Sequence, residues 1–222
     1  MSDMRIFRYN SPLMRFLNRL ADIMILNILY VVCCLPVITA GAATTALYSC
    51  TMKLDEPDEQ RIVRRFFRAF CADFGRSTAL FFIWTVAMVL VLVNLWFYFV
   101  LLRDVDGWYR ILPMIPTVLL LLFSSYLFPL QAYFDNGFWR LLKNALSLAL
   151  VHLPMTAVIT AINCIPVLLL YFKTDIFVYL MAVWTLFGFA LIAYMNGYLC
   201  KTVFRKHLPQ SETEENEDEE SI

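Results

Sequence analysis

Long stretches of this 222-residue chain contain no ionised side chain. Residues 77–102, 111–134, 144–172 and 176–200 hold no Asp, Glu, Lys or Arg, and a fifth such run covers 23–52. A helix crossing a bilayer needs about 20 apolar residues, and each run reaches that length. Charged residues make up 16% of the chain and hydrophobic ones 61%, against roughly 25% and 45–50% in soluble domains. An ordinary soluble fold is thereby excluded, and the spans leave no room for a separate soluble catalytic domain.

Other absences narrow the chemistry. The chain has no G-x-x-x-x-G-K-[ST], no H-E-x-x-H and no G-x-S-x-G, so the common phosphate-binding, zinc-protease and serine-hydrolase signatures are missing. Its six cysteines (Cys33, Cys34, Cys50, Cys71, Cys164, Cys200) form no C-x-x-C pair and read as small apolar residues rather than metal ligands or disulfides. His152 has no second His, Cys or acid at ligand spacing. No metal and no cofactor is expected. Nor does any ionisable acid or base lie deep in a span, which argues against a proton- or ion-coupled carrier. Basic clusters abut the apolar runs, so nucleic acid is not an expected partner; the lipid bilayer is.

What the runs do contain is helical. Without water, backbone groups must pair within the segment, and none of these runs alternates like a strand. The expected fold is all-α: a polytopic helical membrane protein with four full transmembrane helices plus a Pro/Gly-broken N-terminal apolar segment. The spans are placed at about 21–52 (broken), 77–102, 111–134, 146–171 and 176–199, within one domain over 1–208. An acidic tail, 209–222, follows; the last dozen residues hold seven of the eighteen acids. Short connections (Asp104–Gly107, Asp135–Gly137, Lys173–Asp175) make the later helices antiparallel neighbours. The first apolar run lacks an A-x-A cleavage site and is followed by further spans, so it reads as retained.

Lys and Arg distribution sets the orientation. The segment 53–76 (Lys53, Arg61, Arg64, Arg65, Arg68, Arg76), the loop at 135–143 (Arg140, Lys143) and the C-terminal end (Lys201, Arg205, Lys206) carry eleven on one side, against Arg103, Arg110 and Lys173 on the other. The larger set, and with it the C-terminus, is expected to be cytoplasmic in a multi-pass protein. Arg5, Arg8, Arg15 and Arg19 precede the first run. A single crossing of 23–52 strands these four outside, whereas a segment that enters and returns gives fifteen against three. Pro36 and Gly41 supply a break, and the arm after it reaches only about 20 Å. A broken hairpin is the favoured reading and a single span its competitor.

Two flanking segments are amphipathic. Ser11-Pro12 reads as an N-cap with Pro at the first helical position. In 61–74, Phe66, Phe67, Phe70 and Phe74 line up beside Arg61, Arg64, Arg65 and Arg68, a pattern suited to a lipid surface or to a protein partner. At the break, Asn27, Pro36, Thr39, Gly41, Thr44 and Thr45 are helix-joining polar and small residues on one reading and the lining of a solute or lipid cleft on the other.

Several stretches also resemble one bacterial family. Asn27 with Leu35-Pro36-Val37-Ile38-Thr39-Ala40-Gly41-Ala42-Ala43-Thr44-Thr45-Ala46-Leu47-Tyr48, then Phe66-Phe67-Arg68-Ala69-Phe70 and Phe74, is similar to the N-terminal signature of the YesL-like membrane proteins. Phe128-Pro129-Leu130-Gln131-Ala132-Tyr133-Phe134-Asp135-Asn136, Lys143-Asn144-Ala145-Leu146 and Asn196-Gly197-Tyr198 resemble its later stretches. Asp73 departs from the pattern, where a neutral residue is expected. The resemblance implies a bacterial cell-membrane protein without established biochemical activity, associated with ABC-type carbohydrate uptake, and hence ABC permease subunits as partners. The expectation is a non-catalytic accessory protein; the alternative is a small-solute or lipid translocator using a cleft at 36–45. Oligomeric state is left open.

Overall fold

The computed structural model describes residues 12–54, 62–101, 112–134, 137–172 and 184–207. Outside these residues lie Ser11, Arg61, the connections at 104–107, 135–136 and 173–175, the first part of the expected span at 176–199, and the acidic tail. Every regular element among the described residues is helical. Helix α1 spans Pro12–Cys34, α2 Ala40–Met52, α3 Ile62–Ala72 and α4 Phe74–Trp96, continued by a π turn at Phe97–Leu101. Helix α5 spans Met114–Tyr133, α6 Phe138–Val151 and α7 Leu153–Phe172; a π segment, Trp184–Gly188, then leads into α8, Phe189–His207. The all-α, membrane-type architecture expected from the charge-free runs is therefore present. Leu17–Cys34, Phe74–Val100, Met114–Tyr133 and Trp184–Phe204 are each long and apolar enough to cross a bilayer.

A fifth candidate is bent. Helices α6 and α7 meet at His152 at an angle of 102°, inside the stretch expected to form a span at 146–171. Pro154 supplies a physical reason: it has no N–H for the carbonyl four residues back and its ring clashes with that turn. Thr156 binds the corner together, its backbone N–H donating to the His152 carbonyl at 2.9 Å and its hydroxyl lying 2.8 Å from the same oxygen.

The break after α1 is equally local in origin. Pro36 is extended at φ −79°, ψ 113°, and the chain makes one 3-10 turn, Val37–Thr39, before α2 begins. The Thr39 hydroxyl lies within hydrogen-bonding reach of the Cys33 carbonyl, which the ended helix leaves over, and of the Pro36 carbonyl, which also accepts the Thr39 backbone N–H. Across the break, Tyr30 and Thr44 hydroxyls stand 3.5 Å apart. Further from the break, Ile23 and Leu26 share a buried cluster with Ala46, Leu47 and Cys50. The two helices thus form an antiparallel hairpin. The N-terminal amphipathic stretch is not a separate piece but the start of the continuous α1.

Helix α2 is the hub. It packs against α1, α3, α4, α5 and α8, and Gly41, Ala42, Ala43, Thr45, Ala46, Leu47, Cys50, Thr51 and Met52 are buried. A helix buried all round shows no polar stripe, and its Gly, Ala and Thr side chains let neighbouring backbones come close. Gly41 illustrates this: a Cβ there would collide with the carbonyl oxygen of Ser77 and stand 2.5 Å from the Cβ of Phe81, both on α4. The lipid-facing extreme is the span Phe74–Val100, only 6% of which is buried. Its exposed Phe82, Leu90 and Val93 have apolar chains as their solvent.

Candidate functional site

Three polar or amphipathic arrangements hold the residues singled out in the sequence. The first is the hairpin. Asn27 is fully buried, and its amide spans two helices: Nδ2 donates to the Thr185 carbonyl, while Oδ1 accepts the backbone N–H of Ala190 at 2.8 Å. Those two backbone groups are five residues apart, the spacing that a π turn pairs. Asn27 thus clamps α1 to the irregular entry of α8. Thr44 donates to the Ala40 carbonyl at 2.7 Å and Thr45 to that of Gly41 at 3.2 Å. Thr39 serves the end of α1, and Gly41 lies against α4. The polar side chains near the break are therefore engaged with protein backbone, leaving Pro36 exposed between the apolar Leu35, Val37 and Ile38.

The second is α3. Its aromatic residues do not share one environment. Phe66 is fully buried in the cluster with Leu26, Leu47 and Ala193, and Ile62, Ala69 and Phe70 pack at its edge. Phe67 is exposed, as are Val63, Arg64, Arg68 and, at the start of α4, Phe74. Phe66 meets Phe67 edge-on at 5.9 Å and Phe70 in a stacked geometry at 6.3 Å. Arg65 reaches back to donate to the Lys53 carbonyl at 3.1 Å. Lys53 caps the C-terminus of α2, where carbonyls are left over and a cation is favoured. One flank of α3 is thus fixed to the hub, and the other is presented outward. Arg61 lies outside the described residues.

The third arrangement joins α5, α7 and α8. Thr156, Thr160 and Asn163 follow one another at helical spacing along α7. Thr160 stands 2.9 Å from the Ser125 hydroxyl of α5, and Asn163 Oδ1 accepts from Asn196 Nδ2 of α8 at 2.8 Å. Asn196 Nδ2 also lies 3.5 Å from the Tyr48 hydroxyl of α2. Nearby, Gln131 Nε2 donates to Ser77 Oγ at 2.8 Å, tying α5 to α4 beside Gly41. Among the described residues, Gln131 Oε1 and Asn196 Oδ1 are buried without a hydrogen-bond partner, so each amide is bonded through its nitrogen alone. The signal available in the sequence was the recurrence of Thr, Thr and Asn at positions i, i+4 and i+7 within an apolar helix.

Among the described residues no three His, Cys, Asp or Glu side chains come together as a metal site would require. The geometry is that of a bundle joined by interhelical hydrogen bonds, carrying one externally mounted Arg-Phe helix. No curated protein and no solved structure matches the chain. Residues 23–95, covering most of the hairpin, all of α3 and nearly all of α4, match the family described as protein of unknown function, DUF624.

Proposed function

We propose that this chain is a non-catalytic accessory protein of the bacterial cell membrane, with its C-terminus cytoplasmic, that assembles with permease subunits of an ABC-type carbohydrate importer. The finer YesL-like assignment belongs to the same proposal. It rests on the sequence motifs quoted above and is compatible with the family match over 23–95.

The observation that carries the proposal is the mounting of α3. A helix adsorbed on lipid alone has no need of a fully buried Phe66 or of Arg65 held on the end of α2. These anchors fix the orientation of the opposite flank, where Val63, Arg64, Phe67 and Arg68 offer an apolar ridge between cations. Aromatic and Arg side chains on a fixed scaffold are the usual energetic centres of protein interfaces. The start of α6 adds a second exposed pair, Trp139 and Arg140. The hairpin supports the accessory reading in a different way: its hydroxyls and its buried amide are committed to backbone partners rather than turned toward a solute.

The test is recovery of partners from native membranes in mild detergent with a tagged full-length chain. Stoichiometric permease subunits with the native sequence, reduced at least tenfold by Phe67→Glu combined with Arg68→Glu, are expected. Isolation of the chain alone, or partner recovery indifferent to those substitutions, refutes the proposed surface.

A further inference from the structure

A cavity of about 490 Å³ lies between α4, α5 and α6, walled by Ala87, Val91, Pro116, Leu119, Phe123 and Leu146. Among the described residues that line it, Lys143 alone carries a charge. The rim is open: Leu119 and Leu146 are exposed, and Trp139 is 73% exposed. Helices α4 and α5 are long and apolar enough to cross a bilayer, and in that setting the opening meets acyl chains rather than water.

Apolar walls give water too few partners to stay, and a void of this size forfeits the dispersion contacts its lining would otherwise make. The material at hand to fill it is an acyl chain. Lys143 then specifies the rest of the molecule. Its methylenes can lie along the apolar wall while the ammonium seeks a polar neighbour. Asp22 and Asp73, the acids among the described residues, do not line the cavity. Trp139 sits one turn before Lys143 on the same face of α6, and an indole in that place suits the ester region beside a head group.

We infer that this groove is a specific site for an anionic glycerophospholipid, with one acyl chain between α4, α5 and α6 and the phosphate on Lys143. The full-length protein, delipidated in mild detergent, is titrated with phosphatidylglycerol and with phosphatidylcholine of identical chains. Bound lipid is counted by native mass spectrometry. One desolvated lysine–phosphate contact gives about a fivefold preference for phosphatidylglycerol. Lys143→Gln is expected to abolish that preference while leaving phosphatidylcholine binding unchanged, and Ala87→Phe, which fills the groove, to weaken both lipids. Arg140→Gln, on the same helix but outside the lining, is expected to leave the preference intact. Equal binding of the two lipids by the native chain overturns the inference, as does a preference lost with Arg140→Gln but kept with Lys143→Gln. Capture of oleate in place of phospholipid, or a lipid-free dimer in which a second copy closes the groove, overturns it too.

Discussion

Replacing Asn27 by Leu tests whether the hairpin is held to the rest of the bundle by the amide. Leu keeps the branched outline of Asn, with bulkier ends, but takes away the donor to the Thr185 carbonyl and the acceptor for the Ala190 N–H. Interhelical hydrogen bonds in membranes contribute about 0.6 kcal/mol on average and about 1.7 at most, so two give about 1–3 kcal/mol. Leaving a buried backbone group unpaired costs about 1–3 kcal/mol by itself. The stranded groups, however, sit at π spacing and can relax toward each other, which keeps the total near 2 kcal/mol. For a chain of this size that lowers the unfolding midpoint by about 4–8 °C. The assay is the temperature at which half of the detergent-solubilised protein is lost from its monodisperse gel-filtration peak. Asn94→Leu is the internal control: Asn94 is exposed on the lipid-facing α4, and its loss is expected to be neutral or slightly stabilising. A midpoint for Asn27→Leu within 1 °C of that control refutes the clamp.

Gly41→Ala places a methyl against the Ser77 carbonyl and the Phe81 side chain; strain of about 1–3 kcal/mol is expected, with a lower midpoint in the same assay, whereas Gly75→Ala meets open space and is expected to leave the midpoint equal or higher. Phe66→Ala and Phe67→Ala, neighbours in sequence, are expected to divide: the first destabilises the fold by about 3–5 kcal/mol, and the second alters partner recovery with little change in stability. Arg65→Met, which removes the donor to the Lys53 carbonyl, is expected to lower the midpoint by more than Arg64→Met does, by about 1 kcal/mol; equal effects would show that the cap contributes nothing.

How much of this was legible depended on the kind of signal. Long charge-free runs report the solvent around a helix, so the membrane architecture could be read directly. The break at Pro36 was equally plain, because proline and glycine act through local sterics. The corner at His152 was not: Pro154 is the second residue of α7, where proline is tolerated, and which of several prolines redirects the chain depends on what the neighbouring turn can pack against. Helix α3 shows a further limit. The pattern over 61–74 gathers Phe66, Phe67, Phe70 and Phe74 into one apolar sector, yet the helix ends before Asp73 so that Phe74 opens α4, and tertiary packing takes Phe66 inside and leaves Phe67 out. Periodicity identifies the apolar side of a helix without saying where protein ends and lipid begins. The Asn163–Asn196 bond was similarly hidden, since two amides in separate spans carry no mark of facing each other.

The dimensions of the hairpin decide how it can sit in a bilayer. Helix α2 has 13 residues, about 20 Å at 1.5 Å per residue, against a hydrocarbon core of about 30 Å. It therefore cannot link the two surfaces. Lys53 directly follows it and is exposed; the hairpin reading then predicts a C-terminal end at water and a tip within the apolar layer. The tip agrees: Leu35, Val37 and Ile38 are 70–77% exposed, which is costly in water and favourable among acyl chains, while Thr39 occupies its hydroxyl on the end of α1. Antiparallel packing then brings the start of α1 back toward the surface that holds Lys53, as a segment that enters and returns would require. In a cysteine-free background, Asn18→Cys and Lys53→Cys are expected to react with a membrane-impermeant maleimide from the same side, and Leu35→Cys only with a lipid-soluble one. Labelling of Asn18→Cys and Lys53→Cys from opposite sides would mean that the segment crosses once, and the short α2 would then require a locally thinned bilayer.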